Sequence, residues 1–265
     1  MSNLSYLEIA DSLHHILAGD TVYVISDLMT LIQQTLKQKE TFDTNLFIDS
    51  LIQKVGPDGT LLFPTFSWDF CKGIPFDYHK TPGRTGALGN AALARPDFRR
   101  TKHPLYSFAV WGKDQNKYCE MDPPDSFGEG TIFDCLHKQN AKALVIGLHP
   151  LDGFTFLHHV EQAVGVPYRF HKTFTAPYTD ENGATREKSY RMYVRDLDLD
   201  ATEHSEPLEQ ILKDLNIIRT QTFDKTDFHT IFLSPAFDVE AADIRYNDCR
   251  NIYSYKGQPM RGEDL

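Results

Sequence analysis

The sequence has little cysteine, no long apolar run and a shortage of positive charge. Its 265 residues include four cysteines, Cys71, Cys119, Cys135 and Cys249. They lie far apart and form no CxxC pair. That argues against a disulfide framework or a zinc ribbon and makes a reducing cytoplasm the expected compartment. No stretch of about 18 apolar residues occurs, so no membrane span is expected. Met1-Ser2-Asn3-Leu4 begins no basic-then-apolar leader, so no signal peptide is expected. Lys and Arg number 27 against 37 Asp and Glu, a formal net charge of -10. Such a balance argues against non-specific nucleic-acid binding and suits a cationic partner. No internal repeat, low-complexity tract or flexible linker is visible. The apolar share of 41% and the charged share of 24% are globular proportions. One domain over residues 1–265 is therefore expected.

Short apolar runs alternate with helical patterns. The spacing of Leu4, Leu7, Leu13, Ile16 and Leu17 predicts a helix up to Ala18, stopped by Gly19. Strands are predicted at Thr21–Ile25, Thr60–Phe63 and Ala143–Gly147, with helices over 28–38, Leu46–Lys54 and Thr155–Val164. Thr155 is a candidate cap for the last of these and Gly165 its stop. This order predicts an α/β fold, three-layer α/β/α, with a largely parallel central sheet. Ligands in such sheets bind beyond the carboxyl ends of the strands. Residues 64–90 form a long Pro-, Gly- and aromatic-rich loop, and loops of that length are usually functional. Asp180-Glu181-Asn182-Gly183 predicts a hairpin turn, so a β-rich excursion is expected near 168–200. Later come a helix from about Pro207 capped by Ser205, strands near 217–223 and 228–233, and a helix over Pro235–Ile244.

Several stretches could carry chemistry. On the helix after Thr155, His158 and Glu161 stand at i and i+3, so a carboxylate can orient an imidazole suited to general-base work. Alone, the pair reads first as a solvated surface helix carrying two histidines. No H-E-x-x-H spacing is present, so no metal is expected. Asp196, Asp198 and Asp200 alternate with apolar residues and share one face if the segment is extended. Arg95 to His103 is the dense basic cluster of an acidic chain, able to hold phosphates or simply solvated. Thr65, Trp68 and Asp69 leave a strand end together, where Asp69 could bind an amine or cap a turn. Phe127-Gly128-Glu129-Gly130-Thr131 could open a helix near an anion but matches neither common nucleotide motif. Cys71 lacks a histidine partner in sequence and is a poor nucleophile candidate.

Taken together, these stretches resemble the aminoglycoside 3-N-acetyltransferase family, from Gly19-Asp20 to about Ile244. Val55 to Ser67 is similar to its glycine turn, strand and Pro-Thr-Phe loop. Arg100-Thr101-Lys102-His103-Pro104 with Ser107 is similar to its Arg-Ser-x-His-Pro-x-x-Ser segment. Phe127 to Thr131 and Thr155-x-x-His158-x-x-Glu161 complete the match. The resemblance implies an acyltransferase taking acetyl-CoA or another acyl-CoA, with no metal, and a small-molecule amine as acceptor. His158 would be the base and Glu161 its neighbour, with Asp196 and Asp198 the acidic pair beside it. Asp69, with Thr65 and Trp68, would face the substrate. Ser26, Arg100, His103, Ser107, Gly128 and Thr131 would lie near the cofactor. The family's His-Ser-Ser-Leu stretch is replaced by Ile25-Ser26-Asp27-Leu28, which implies a shifted cofactor mode or a different acyl-CoA. Val166 to Lys172 and the following hairpin look more like relatives of cell-surface polysaccharide synthesis. That leaves a nucleotide- or lipid-linked amino sugar as an alternative acceptor, with Arg169, Lys172 and Arg191 as its basic contacts. A non-catalytic sugar- or partner-binding relative is the alternative from another class. No nucleic acid and no membrane partner is expected, and the oligomeric state is open, a homo-oligomer included.

Overall fold

The computed structural model describes residues 4–259. Its strands are β1 (Thr21–Ser26), β2 (Thr60–Pro64), β3 (Phe76–Asp77), β4 (Arg99–Arg100), β5 (Phe108–Gly112), β6 (Lys142–Ile146), β7 (Arg169–Thr179), β8 (Thr185–Arg195), β9 (Thr202–Glu203), β10 (Ile218–Phe223), β11 (Thr226–Phe232) and β12 (Tyr253–Ser254). The helices are α1 (Tyr6–Ile9), α2 (Met29–Lys37), α3 (Thr44–Val55), α4 (Ala87–Leu93), α5 (Gln115–Glu120), α6 (Ile132–Lys138), α7 (Phe156–Val164), α8 (Glu206–Asp214) and α9 (Leu233–Asn247).

A seven-stranded sheet runs in the order β10-β11-β6-β1-β2-β5-β4. The expected parallel arrangement holds at its centre, where β6, β1 and β2 pair in parallel. Both flanks are antiparallel. Alternation along β1 explains the layers. Val22 and Val24 join one buried cluster with residues of α1 to α4, while Tyr23 and Ile25 join another with residues of α6 to α9. Side chains of a strand point alternately to opposite faces, so one buried strand feeds two cores. The α/β class and the three layers expected from sequence are present.

The expected excursion is a hairpin, β7 paired antiparallel with β8, with β3 added alongside β7. Its turn is fixed by Asp180, whose Oδ1 accepts the Asn182 and Ala184 N–H groups at 3.0 Å each.

Several local expectations are corrected. The helix over Leu4–Ala18 is only α1, followed by tight turns such as Ser12 N–H to the Ile9 carbonyl and Ile16 N–H to the Leu13 carbonyl. The apolar residues Tyr6, Ile9, Leu13 and Ile16 are buried nonetheless. Thr155 and Ser205 begin α7 and α8 without a side-chain cap; the Thr155 hydroxyl donates to the Gly153 carbonyl instead. Gly165 does end α7, at a φ of 86°. Residues 196–200 are not a strand but a 3-10 turn over Leu197–Leu199, because the Asp196 carboxylate accepts the Asp198 N–H and closes it. The antiparallel strands β4 and β5 were not anticipated from the sequence.

Candidate active site

His158 sits on α7 with its ring half-buried. Its Nδ1 is 2.7 Å from Glu161 Oε2, one helical turn along. Glu161 is fully buried and gathers two further groups. The Tyr168 hydroxyl donates to its Oε1 at 2.9 Å, and Arg169 Nε forms an ion pair with Oε2 at 2.8 Å. Burial pushes the Glu161 carboxyl up, but the charge and hydrogen bond of His158, then Arg169 and Tyr168, hold it below its ordinary value. A carboxylate can only accept, so the proton of the shared bond belongs to Nδ1. Nε2 of the neutral ring is then left with a lone pair. Arg169 is fixed by its own partners, the Tyr193 carbonyl and the Tyr253 hydroxyl, both at 3.2 Å.

An aromatic wall leads away from His158. Phe127 meets its ring edge-on at 5.6 Å, Tyr106 packs on Phe127 at 4.7 Å, and Trp68 meets Tyr106 at 6.3 Å. Trp68 is exposed and its Nε1 donates to the Tyr106 hydroxyl. Phe127 and Tyr106 are buried, so this row of rings runs through the interior, and at its far end Trp68 and the adjoining Asp69 reach the surface. Asp69 is paired with Arg84 at 2.8 Å, and that hydrogen bond lowers its carboxyl. Thr65 does not join this surface. It is wholly buried, hydroxyl to hydroxyl with Ser107 at 2.8 Å.

Asp196 and Asp198 are not drawn into the Glu161 cluster by their own carboxylates. The Asp196 N–H donates to the Tyr168 carbonyl, its side chain closes the 3-10 turn, and Asp198 is exposed. Cys71 is half-buried and burial pushes its thiol up to about 11, so it offers no thiolate near neutrality.

The expected cofactor contacts are mostly structural. Arg100 is buried, donating to Ser107 Oγ and to the carbonyls of Tyr78, Thr81 and Thr65. It ties the long loop to β4, and burial lowers it to about 10. His103 accepts the N–H groups of Leu105 and Tyr106 and is lowered to about 3 by burial. Ser107 bonds the Thr65 carbonyl. Thr131 caps α6, accepting the Asp134 N–H while donating to the Gly128 carbonyl. Gly128 and Thr131 are both buried. Others of the basic cluster are paired: Arg95 with Asp49 and Asp97, Lys102 with Glu181. Most of the cluster therefore braces the fold, while Arg99 is exposed and bonds the neutral Asn116 side chain. Ser26 keeps an open side at the carboxyl end of β1, close to Gly86. Next to it the Asp27 carboxylate accepts the Met29 N–H at 2.8 Å, so the start of α2 already carries its own anion.

A family model described as aminoglycoside 3-N-acetyltransferase matches residues 35–243. The chain belongs to the aminoglycoside 3-N-acetyltransferase family. A curated relative, the SPbeta prophage-derived aminoglycoside N(3')-acetyltransferase-like protein YokD of Bacillus subtilis (strain 168), is 28% identical over 145 residues. That match covers 46% of this chain and 52% of YokD, so the chain spans about half the length of the relative it matches. Among solved structures, aminoglycoside acetyltransferase AAC(3)-Xa superposes with a TM-score of 0.75 at 22% identity, covering 91% of this chain and 92% of that one. AAC-IIIb in a binary complex with CoASH gives 0.74 at 17% identity, covering 96% and 97%. These likenesses establish the fold.

For this acetyltransferase-family chain, sequence reasoning missed the grip on Glu161. In sequence Arg169 stands only as a basic contact for a nucleotide-linked acceptor, and Tyr168 carries no signal. A helical period cannot reveal them, because the chain turns at Gly165 and returns as a strand. Glu240 on α9 was also missed. It is buried, its Oε1 has no hydrogen-bond partner, and burial together with Glu161 and Asp243 raises it well above the usual carboxyl range.

Proposed function

We propose that this chain transfers an acyl group from an acyl-CoA, in the simplest case acetyl-CoA, to a primary amine of an aminoglycoside or another amino sugar. The observation that carries the reading is His158, held through Nδ1 by a buried, ionised Glu161, with its half-buried ring edge-on against the buried Phe127. An amine attacks only as a free base. As its nitrogen bonds to the thioester carbonyl carbon, the C–S bond breaks and the amine proton passes to His158 Nε2, then to the departing thiolate. The imidazolium formed on the way is stabilised by Glu161. Asp69 and Trp68 would receive a cationic sugar where the row of rings reaches the surface.

Two of the basic groups that a nucleotide-linked acceptor would need are already matched by acids, Arg169 by Glu161 and Arg191 by Asp125 at 2.6 Å. Asp69 is matched in the same way by Arg84 at 2.8 Å, so the choice between an amine-rich acceptor and a nucleotide sugar falls to the acceptor screen. Family membership and the CoASH complex of a structural neighbour support the choice of donor. The test is thiol release from acetyl-CoA across aminoglycosides, free amino sugars and nucleotide amino sugars. His158→Ala should lower turnover by 10²-fold or more, with Tm unchanged within a few degrees. Near-normal turnover in that variant, or no release with any acceptor, would sink the reading and favour a non-catalytic binder.

A further inference from the structure

Next to His158 along α7, and about 100° around it, His159 meets two residues of α6: Asp134, His137 and His159 each place one potential ligand atom within 4.8 Å of the others. Asp134 and His137 lie one turn apart on α6, and His159 comes from α7. They line a cavity of about 540 Å³ that also takes in Glu129, His171 and Gln162. His159 is almost wholly buried, yet its Nε2 has no partner. A buried polar nitrogen without a partner calls for an explanation, and an ion is one.

We propose that these three residues bind a divalent transition-metal ion, zinc by donor type, which ties α6 to the helix that carries His158. Two imidazoles and one carboxylate, completed by water or by Glu129, make a donor set suited to tetrahedral zinc. The described hydrogen bonds of the Asp134 carboxylate, from the Gly130 N–H and Lys138 Nζ, both fall on Oδ2, leaving Oδ1 for a cation. Lys138 is largely exposed and can swing away. Nδ1 of His159 accepts a long 3.3 Å bond from the Gly128 N–H, so Nε2 carries the ring proton without a cation. A cation on Nε2 moves that proton to Nδ1 and opens the Gly128 contact. The acyl transfer proposed above uses no metal, so the two ideas stand separately.

The experiment uses untagged, chelator-treated full-length protein. Titration with Co²⁺ should give the intense visible bands of a tetrahedral site at one equivalent, and Zn²⁺ should abolish them. Excess Zn²⁺ should raise Tm by several degrees through mass action. His137→Phe keeps the stacking on Phe237, at 3.8 Å between rings, and removes a ligand. It should lose both the bands and the Tm shift while retaining the Tm of the metal-free protein. Asp134→Asn is the second variant and should weaken binding at least tenfold. Absence of bands and of a Zn²⁺-dependent Tm shift in the unmodified protein would overturn the proposal. So would a response that survives unchanged in both variants.

Discussion

Two buried glutamates near one another take opposite protonation states. Glu161 on α7 is held ionised, while Glu240 on α9 is kept neutral by burial and by the negative charge of Glu161 and Asp243. Glu161→Gln would remove the anion that offsets Arg169 and would leave a buried cation. That should cost about 3–5 kcal/mol of stability, visible in denaturant unfolding, along with most of the turnover. Glu240 gives the opposite sign. Its folded pKa lies above the unfolded one, so its contribution is complete below the unfolded carboxyl value and is lost as pH rises toward the folded value. Glu240→Gln should therefore match the parent near pH 4 and exceed it near pH 8, as read from unfolding curves at both pH values. A variant that is less stable than the parent at pH 8 would refute the neutral state of Glu240.

Among the elements, α7 was legible from sequence because its chemistry is local. His158 and Glu161 are one turn apart, and Gly165 marks the stop. The hairpin was legible from Asp180 to Gly183, whose side-chain and backbone needs set a turn on their own. What could not be read is what depends on distant partners. Residues 4–18 have helical spacing, but after four residues the chain folds into tight turns that bury Leu13 and Ile16 and leave Leu7 and Leu17 exposed. The short strand Phe108–Gly112 gains its definition from pairing with β2 and not from periodicity. The basic stretch reads as a cofactor site from composition, which does not reveal that Arg100 is buried among carbonyls. Arg100→Met tests whether it is structural. The carbonyls of Tyr78, Thr81 and Thr65 would lose their donor, at about 1–3 kcal/mol for the site. Tm should fall, while the KM for acetyl-CoA of the folded enzyme stays within about twofold. A selective rise in that KM would restore Arg100 to the cofactor.

On the scale of the whole molecule, the charge of -10 is a long-range field as well as a set of contacts. A polycationic acceptor should be attracted from beyond contact distance, and salt screens that attraction with a length of about 10 Å at 0.1 M. KM for an aminoglycoside should rise severalfold between about 0.05 and 0.5 M KCl, with kcat little changed. A flat KM would confine recognition to close contacts.

The base of the hairpin has a consequence for how such a chain can diverge. Arg169 is both the first residue of β7 and the cation clamped on Glu161. A codon inserted near Asn182 lengthens an exposed turn, at roughly 0.6 kcal/mol per doubling, and disturbs at most the contacts of Glu181 with Lys102 and His79. A codon lost between Gly165 and Tyr168 would pull Phe170 into the position of Arg169 and turn every side chain of the strand to its other face. Insertions and deletions among descendants should thus collect at the tip and spare the base, leaving the reach of the hairpin free to drift while its root stays in register.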